Sequence, residues 1–350
     1  MTLEEAIKKV KPLDRNAMNI AQKRWDSIAK PLHSLGKLET LLIQIAGITG
    51  NAEIDLSKRG LIAMCADNGV VEEGVTQTGQ EVTAIVAENF LNYDTSVGVM
   101  CKQNHAEIFP VDMGMITDTK VRTDHKVAYG TKNMTKGPAM TREQAVKGIE
   151  SGIAMVEELK GKGYKILATG EMGIGNTTTS SAVASVLLNQ PVEEMTGRGA
   201  GLTSEGLARK IGAIRKAIKL NQPDPSDAVD VLAKVGGLDI AGMTGVFLGG
   251  AIYGIPVVMD GFISCVSALI AMQICPAAGD YMIASHVSRE PAAHLILEYM
   301  NKEAVLHADM CLGEGTGAVA LFPLLDLAAA VYHSMSTFDD IHVEQYEELK

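Results

Sequence analysis

Five short apolar runs, each closing on polar residues, constrain this chain more than any other feature. They lie at 61–66, 106–111, 164–169, 255–259 and 281–284, and close on Asp67-Asn68-Gly69, Asp112, Gly170-Glu171, Asp260 and Ser285-His286. Stretches of helical periodicity separate them, at about 83–101, 143–160, 177–189, 204–219, 225–234, 239–253, 262–274 and 290–300. Strands that alternate with helices predict βαβ units, hence a mostly parallel sheet covered on both faces. In such sheets ligands bind beyond the carboxyl ends of the strands. Four of the five runs place a carboxylate there: Asp67, Asp112, Glu171 and Asp260. Any one of them alone also reads as a turn former or helix cap. Together they predict a polar, functional rim.

Both ends of the chain read differently. Residues 1–40 read as helix, with Leu3, Ile7, Val10 and Leu13 at helical spacing and a mixed stretch at 28–42 broken by Pro31 and Gly36. Thr316–Ser334 reads as a long, apolar, well-buried helix, and the tail at 338–350, with five acids, as a solvated end. No internal repeat or low-complexity linker interrupts the 350 residues.

Composition narrows the function classes. With 31 Lys and Arg against 42 Asp and Glu, the net charge is −11, which disfavours a basic face for nucleic-acid phosphates. Aromatics make up only 4%, too few for base-stacking platforms, whereas 35 glycines suit tight strand-to-helix turns. The segment 240–259 is nearest to a membrane span. Thr244, Pro256 and several glycines interrupt it, so it predicts a buried helix followed by a strand, and no membrane partner. The acidic start Met1-Thr2-Leu3-Glu4-Glu5 lacks an apolar core, so no signal peptide is expected. Five scattered cysteines without a C-x-x-C pair read as reduced thiols in a cytoplasmic protein, with no zinc site.

Three glycine clusters carry the chemistry. Gly170-Glu171-Met172-Gly173-Ile174-Gly175-Asn176-Thr177-Thr178-Thr179 follows a strand and opens a helix, where bare backbone N–H groups and the helix dipole attract an anion. An ordinary capped turn is the other reading. Gly197-Arg198-Gly199-Ala200-Gly201 precedes a helix carrying Arg209 and Lys210, which suits a phosphate or, equally, a solvated helix face. Leu312-Gly313-Glu314-Gly315-Thr316-Gly317 exposes a carboxylate between glycines, fit for general acid–base work. A helix N-terminus would lower the Glu314 pKa and burial would raise it. The sequence contains no P-loop, G-x-G-x-x-G, G-x-S-x-G or H-E-x-x-H pattern. His286, at a strand end, is expected to be structural.

Taken in order, these motifs are similar to those of a known family. Ser34-Leu35-Gly36-Lys37-Leu38-Glu39, Ala66-Asp67-Asn68-Gly69-Val70, the three glycine clusters, Ser204-Glu205-Gly206-Leu207-Ala208-Arg209-Lys210, Lys234-Val235-Gly236-Gly237-Leu238-Asp239, Gly242-Met243-Thr244-Gly245 and Met259-Asp260-Gly261-Phe262 resemble the nicotinate-nucleotide–dimethylbenzimidazole phosphoribosyltransferases. The match runs in order from about residue 25 to 335. The resemblance implies transfer of the phosphoribosyl group of nicotinate mononucleotide onto the lower-ligand base of a cobamide, giving an α-ribazole 5′-phosphate and nicotinate. It implies no metal and no cofactor. The implied fold is α/β, a Rossmann-like parallel sheet flanked by helices in a large domain at 46–317. A small helical domain is built from both chain ends, 1–45 plus 318–350. The implied assembly is a homodimer or a heterodimer with a homologous subunit.

Carried over by motif, Glu314 is the implied catalytic base and Glu171 a second site glutamate. Gly173, Asn176, Thr177, Gly199, Lys210 and Ser288 match positions for the nucleotide and its phosphate, and Thr78, Val86 and Leu312 belong to the substrate set. Several positions depart from the family pattern. Asn68 stands where Asp-His-Gly is common, His33 where glycine occurs, Cys311 where some members carry Arg, Val86 for a base-contacting Gln and Thr78 for Ser. The departures leave the base open among benzimidazoles, purines and phenols. The same chemistry on phenolic bases, or a non-catalytic partner subunit, are the competing expectations.

Overall fold

The computed structural model describes residues 2–347. Its centre is a five-stranded, all-parallel sheet in the order β2-β1-β3-β4-β5, with β1 at Arg59–Ala66, β2 at Ala106–Gly114, β3 at Ile166–Met172, β4 at Val257–Met259 and β5 at Met282–Ala284. The chain steps outward from β1 in one direction and then returns past it in the other, so a crevice opens at the carboxyl ends of β1 and β3. Strand β1 shows why both faces must be covered. Leu61, Ala63 and Cys65 enter one core, and Ile62, Met64 and Ala66 the other.

Before β1 come α1 (Leu3–Ile7), α2 (Arg15–Ser27) and α3 (Lys37–Thr49). The helix expected over 1–40 is therefore divided. Asp14 caps α2 by accepting from Ala17 N–H at 3.0 Å, and the second break contains Pro31 and Gly36. Between β1 and β2, the single helix expected at 83–101 is two, α4 (Glu81–Asn92) and α5 (Ser96–Gln103). Tyr93 ends α4 in a left-handed conformation, and the Thr95 hydroxyl caps α5.

Two strands run further than expected. A bulge at Cys65/Ala66 carries β2 past Asp112, which lies inside the strand. Its carboxylate accepts from Met115 N–H at 2.7 Å and pairs with Lys126 at 3.0 Å. Strand β3 likewise includes Glu171, opposite Met64 of β1.

After β2 comes α6 (Arg142–Gly161), and after β3 come α7 (Asn176–Leu187), α8 (Val192–Met195), α9 (Ser204–Asn221), α10 (Ala228–Val235) and α11 (Leu238–Tyr253). The buried helix-then-strand expected at 240–259 is α11 followed by β4. Helix α12 (Phe262–Ile274) leads to β5, and α13 (Ala292–Tyr299) and α14 (Thr316–Ser334) complete the chain.

Helix α14 is less buried than expected. Leu321, Phe322, Leu325, Ala328 and Tyr332 face inward, but Leu327 is 63% exposed, because apolar residues also occupy its outer face. Among the described residues it alone has the length and apolarity of a membrane span, and only half of that window is buried. Trp25 of α2 stacks edge-on against Tyr332, and Arg24 donates to Tyr332 O, so the two chain ends meet over the sheet. In the tail, Phe338 is buried beside α2, and the described residues after it are exposed. Residues 348–350 of that tail lie outside the described residues.

Candidate active site

All three glycine clusters open into one cavity of about 430 Å³ beyond the carboxyl ends of β3 and β4. Thr78, Val86, Glu171, Gly173, Asn176, Thr177, Gly199, Ser288, Leu312 and Glu314 all line it. Lys210 does not. It projects from α9 into the wall behind, fully buried, and its Nζ donates to Thr177 Oγ1 at 2.8 Å and Gly197 O at 3.1 Å. A solvated helix face is thereby removed as a reading. Burial pushes the Lys210 pKa down to about 8, partly countered by the negative charge of Glu290.

Glu314 sits on a loop wound through three successive left-handed residues, with φ of 89° at Gly313, 63° at Glu314 and 97° at Gly315. Glycine at 313 is required twice over, by its φ and because any Cβ there would strike the Glu171 carboxylate. Asp260, just past β4, pins the loop. Its Oδ2 accepts from Gly315 N–H at 3.1 Å, and its Oδ1 from Gly317 and Ala318 N–H at 2.7 and 3.2 Å. Asp260 thus takes the N-terminal dipole of α14. Glu314 is left with the effect of burial, which raises its pKa against a hydrogen bond from Val97 N–H, while the Asp260 charge raises it further.

Glu171 is buried at the end of β3. Its Oε1 accepts from Glu314 N–H at 3.3 Å, and its Oε2 takes a short hydrogen bond from Asn176 Nδ2. Burial, with the nearby Asp239 charge, pushes its pKa up to about 8. Asp239, at the start of α11, is pushed up to about 6 by the same burial. Among the described residues, no lysine or arginine pairs with Glu171, Asp239 or Glu314. Glu171 and Asp239 can therefore exchange protons near neutral pH, and the raised pKa of Glu314 makes its carboxylate a better proton acceptor.

Of the four strand-end carboxylates, Glu171 and Asp260 line the cavity. Asp67 and Asp112 hold turns instead, Asp67 accepting from Ile116 N–H at 2.8 Å. His286, expected to be structural, also lines the cavity, with Nδ1 3.1 Å from Ser285 Oγ and 4.0 Å from Asp260 Oδ1. Sequence reasoning passed over Gln77 and Glu290. Gln77 Nε2 donates to Ala200 O at 3.1 Å, tying the loop after β1 to the second glycine cluster. Both lie outside any glycine motif, so only the folded chain brings them in.

A cavity beyond the carboxyl ends of a parallel sheet, joining a glycine-rich turn to buried carboxyls, has the parts a group-transfer enzyme needs. The phosphoribosyltransferase family model DBI_PRT matches residues 10–343, and the chain belongs to that family. It is 50% identical over 352 residues to a nicotinate-nucleotide–dimethylbenzimidazole phosphoribosyltransferase of Ruminiclostridium cellulolyticum, covering 100% of both chains. It is 47% identical over 352 residues, again covering 100% of both, to the protein of that name in Clostridium acetobutylicum. The crystal structure of CobT from Thermus thermophilus superposes with a TM-score of 0.88 at 35% identity, over 95% of this chain and 100% of that one.

Proposed function

We propose that this enzyme transfers the phosphoribosyl group of nicotinate mononucleotide to a cobamide lower-ligand base such as 5,6-dimethylbenzimidazole, releasing nicotinate and an α-ribazole 5′-phosphate. The observation that carries the reading is the single cavity in which Glu171 and Glu314 stand beside the Gly173–Thr177 turn and Gly199. The bond from C1′ to the pyridinium nitrogen breaks, and its electron pair leaves with nicotinate, cancelling the ring's positive charge. No acid is needed for that departure. A nitrogen of the base attacks C1′ from the opposite face, and the azole proton passes to Glu314. Glu314, a carboxylate until it takes that proton, stabilises the positive charge that develops on the ribose, as in glycoside hydrolysis.

Thr177, Gly199 and the buried Lys210 serve the 5′-phosphate. Thr78, Val75, Val82, Val86 and Leu312 give the cavity its largely apolar wall, suited to a flat aromatic base. A second reading, the same transfer to a phenolic oxygen, is favoured by Val86, which offers no partner to a second azole nitrogen. Incubation with nicotinate mononucleotide and a panel of benzimidazoles, purines and phenols, with mass analysis of products, tests both. The expected result is free nicotinate and a ribotide of the preferred base. No nicotinate release with any base would overturn the proposal.

A further inference from the structure

One side chain on the donor-rich wall carries the wrong charge for an anion site. Glu290 lies on the bend between β5 and α13 and faces the cavity. Its Oε1 accepts from Gly199 N–H at 3.1 Å, and its Oε2 is buried with no hydrogen-bond partner. The carboxylate lies over Gly197, where a Cβ would come within 2.7 Å of Glu290 Cδ. It is also the charge acting on buried Lys210, whose ammonium holds Gly197 O and Thr177 Oγ1. A backbone donor, a glycine gap and a buried cation, the parts that receive a phosphate, already receive a carboxylate.

We propose that Glu290 is a specificity-determining residue: its carboxylate competes for Gly199 N–H and the Lys210 charge, so that a phosphate dianion displaces it and weaker anions do not. The proposal rests on the reading of this wall as the phosphate site. A phosphomonoester carries nearly two charges and three terminal oxygens, against one charge and two oxygens for a carboxylate. Side by side the two anions repel, so Glu290 swings away as the phosphate enters. Its position on a bend lets side-chain torsions make that movement. The exchange breaks no covalent bond and transfers no proton. Acetate or chloride gains no more at this seat than Glu290 already gains there.

The test is calorimetric titration of inorganic phosphate and nicotinate mononucleotide into the native enzyme, Glu290→Gln and Glu290→Ala, beside steady-state rates with acetate as competitor. Gln keeps an acceptor for Gly199 N–H and removes the charge. Both variants are expected to bind inorganic phosphate more tightly, by about tenfold, the size of a modest like-charge repulsion. The nucleotide KM should fall more than kcat changes. Acetate should compete with the nucleotide in Glu290→Ala, where it fills the vacated seat, and not in the native enzyme. Phosphate binding unchanged or weakened in both variants, or acetate competing equally well with the native enzyme, would overturn the proposal and leave the phosphate site standing. A native enzyme that binds neither phosphate nor nucleotide would overturn the reading of the wall itself.

Discussion

Two walls of one cavity handle buried charge in opposite ways. On one, Glu171 and Glu314, with Asp239 buried near Glu171, pair with no lysine or arginine among the described residues, and burial raises the pKa of each. On the other, Lys210 is buried with a hydroxyl, a carbonyl and one neighbouring carboxylate, and burial lowers its pKa to about 8. The same loss of water favours the uncharged form of acids and base alike. On the first wall the raised pKa of Glu314 makes its carboxylate a stronger acceptor for the proton of a reacting base, while Glu171 keeps its own proton. The second is ready to regain its full charge beside a phosphate. The comparison separates chemistry, on the carboxyl wall, from binding, on the lysine wall.

The largest effect should follow from the carboxyl wall. Glu314→Gln should lower kcat by about 10²–10⁴-fold, the range of a general base, while calorimetry shows nucleotide binding retained. Near-native turnover at neutral pH would remove Glu314 as the base and dissolve the division of labour. Next in size, Lys210→Met should raise the nucleotide KM by about 10- to 100-fold, by removing the buried charge that holds Thr177 and backs Gly199, with a smaller change for the base. An unchanged nucleotide KM would show that Lys210 serves only packing.

A smaller effect is expected at Val86. Val86→Gln restores a donor and an acceptor on the cavity wall, and should shift product ratios toward dimethylbenzimidazole over p-cresol by about fivefold. A ratio that does not move in direct competition would take Val86 out of base selection.

The smallest effects are in stability, and the two walls should differ in sign. Glu171 holds its proton to about pH 8 when folded, against an ordinary value of 4.5, so its contribution is full below 4.5 and is lost as pH rises to 8. Lys210 loses its proton near 8 when folded, against 10.5 in an unfolded chain, so its contribution grows as pH rises from 8 to 10.5. Thermal melting of Glu171→Gln should flatten the fall between pH 5 and 8 by roughly 2–4 °C, and Lys210→Met should flatten the rise above 8. Parallel slopes in native and variant proteins would mean that neither group is desolvated as the geometry implies.

Much of the fold was legible because strand runs and helix periods are local signals. The helices at Asn176–Leu187, Ser204–Asn221 and Phe262–Ile274 fall close to where periodicity puts them. The failures were at boundaries that a neighbouring segment decides. Asp112 continues β2 because its own N–H donates to Arg122 O and a bulge extends the pairing. Tyr93, left-handed, splits a helical stretch, and Thr95 caps the helix that follows.

By itself the sequence determined the alternation of strand and helix, the three glycine clusters and the placing of Glu171, Asp260 and Glu314 within or beside them. Each of these depends on residues adjacent in the chain, where hydrogen-bond patterns and steric limits are local. Only the tertiary structure decided what each charge experiences. Lys210 reads on its helix as solvated or phosphate-facing, and it became a buried cation because α9 packs on α7. Glu314 could have been lowered by a helix dipole, but Asp260, 54 residues earlier, took that helix end and left burial to act. Glu290, in no motif at all, met Gly199 across 91 residues of chain. Desolvation and long-range pairing depend on what surrounds a group in space, and that is set when the sheet and its helices close around the cavity.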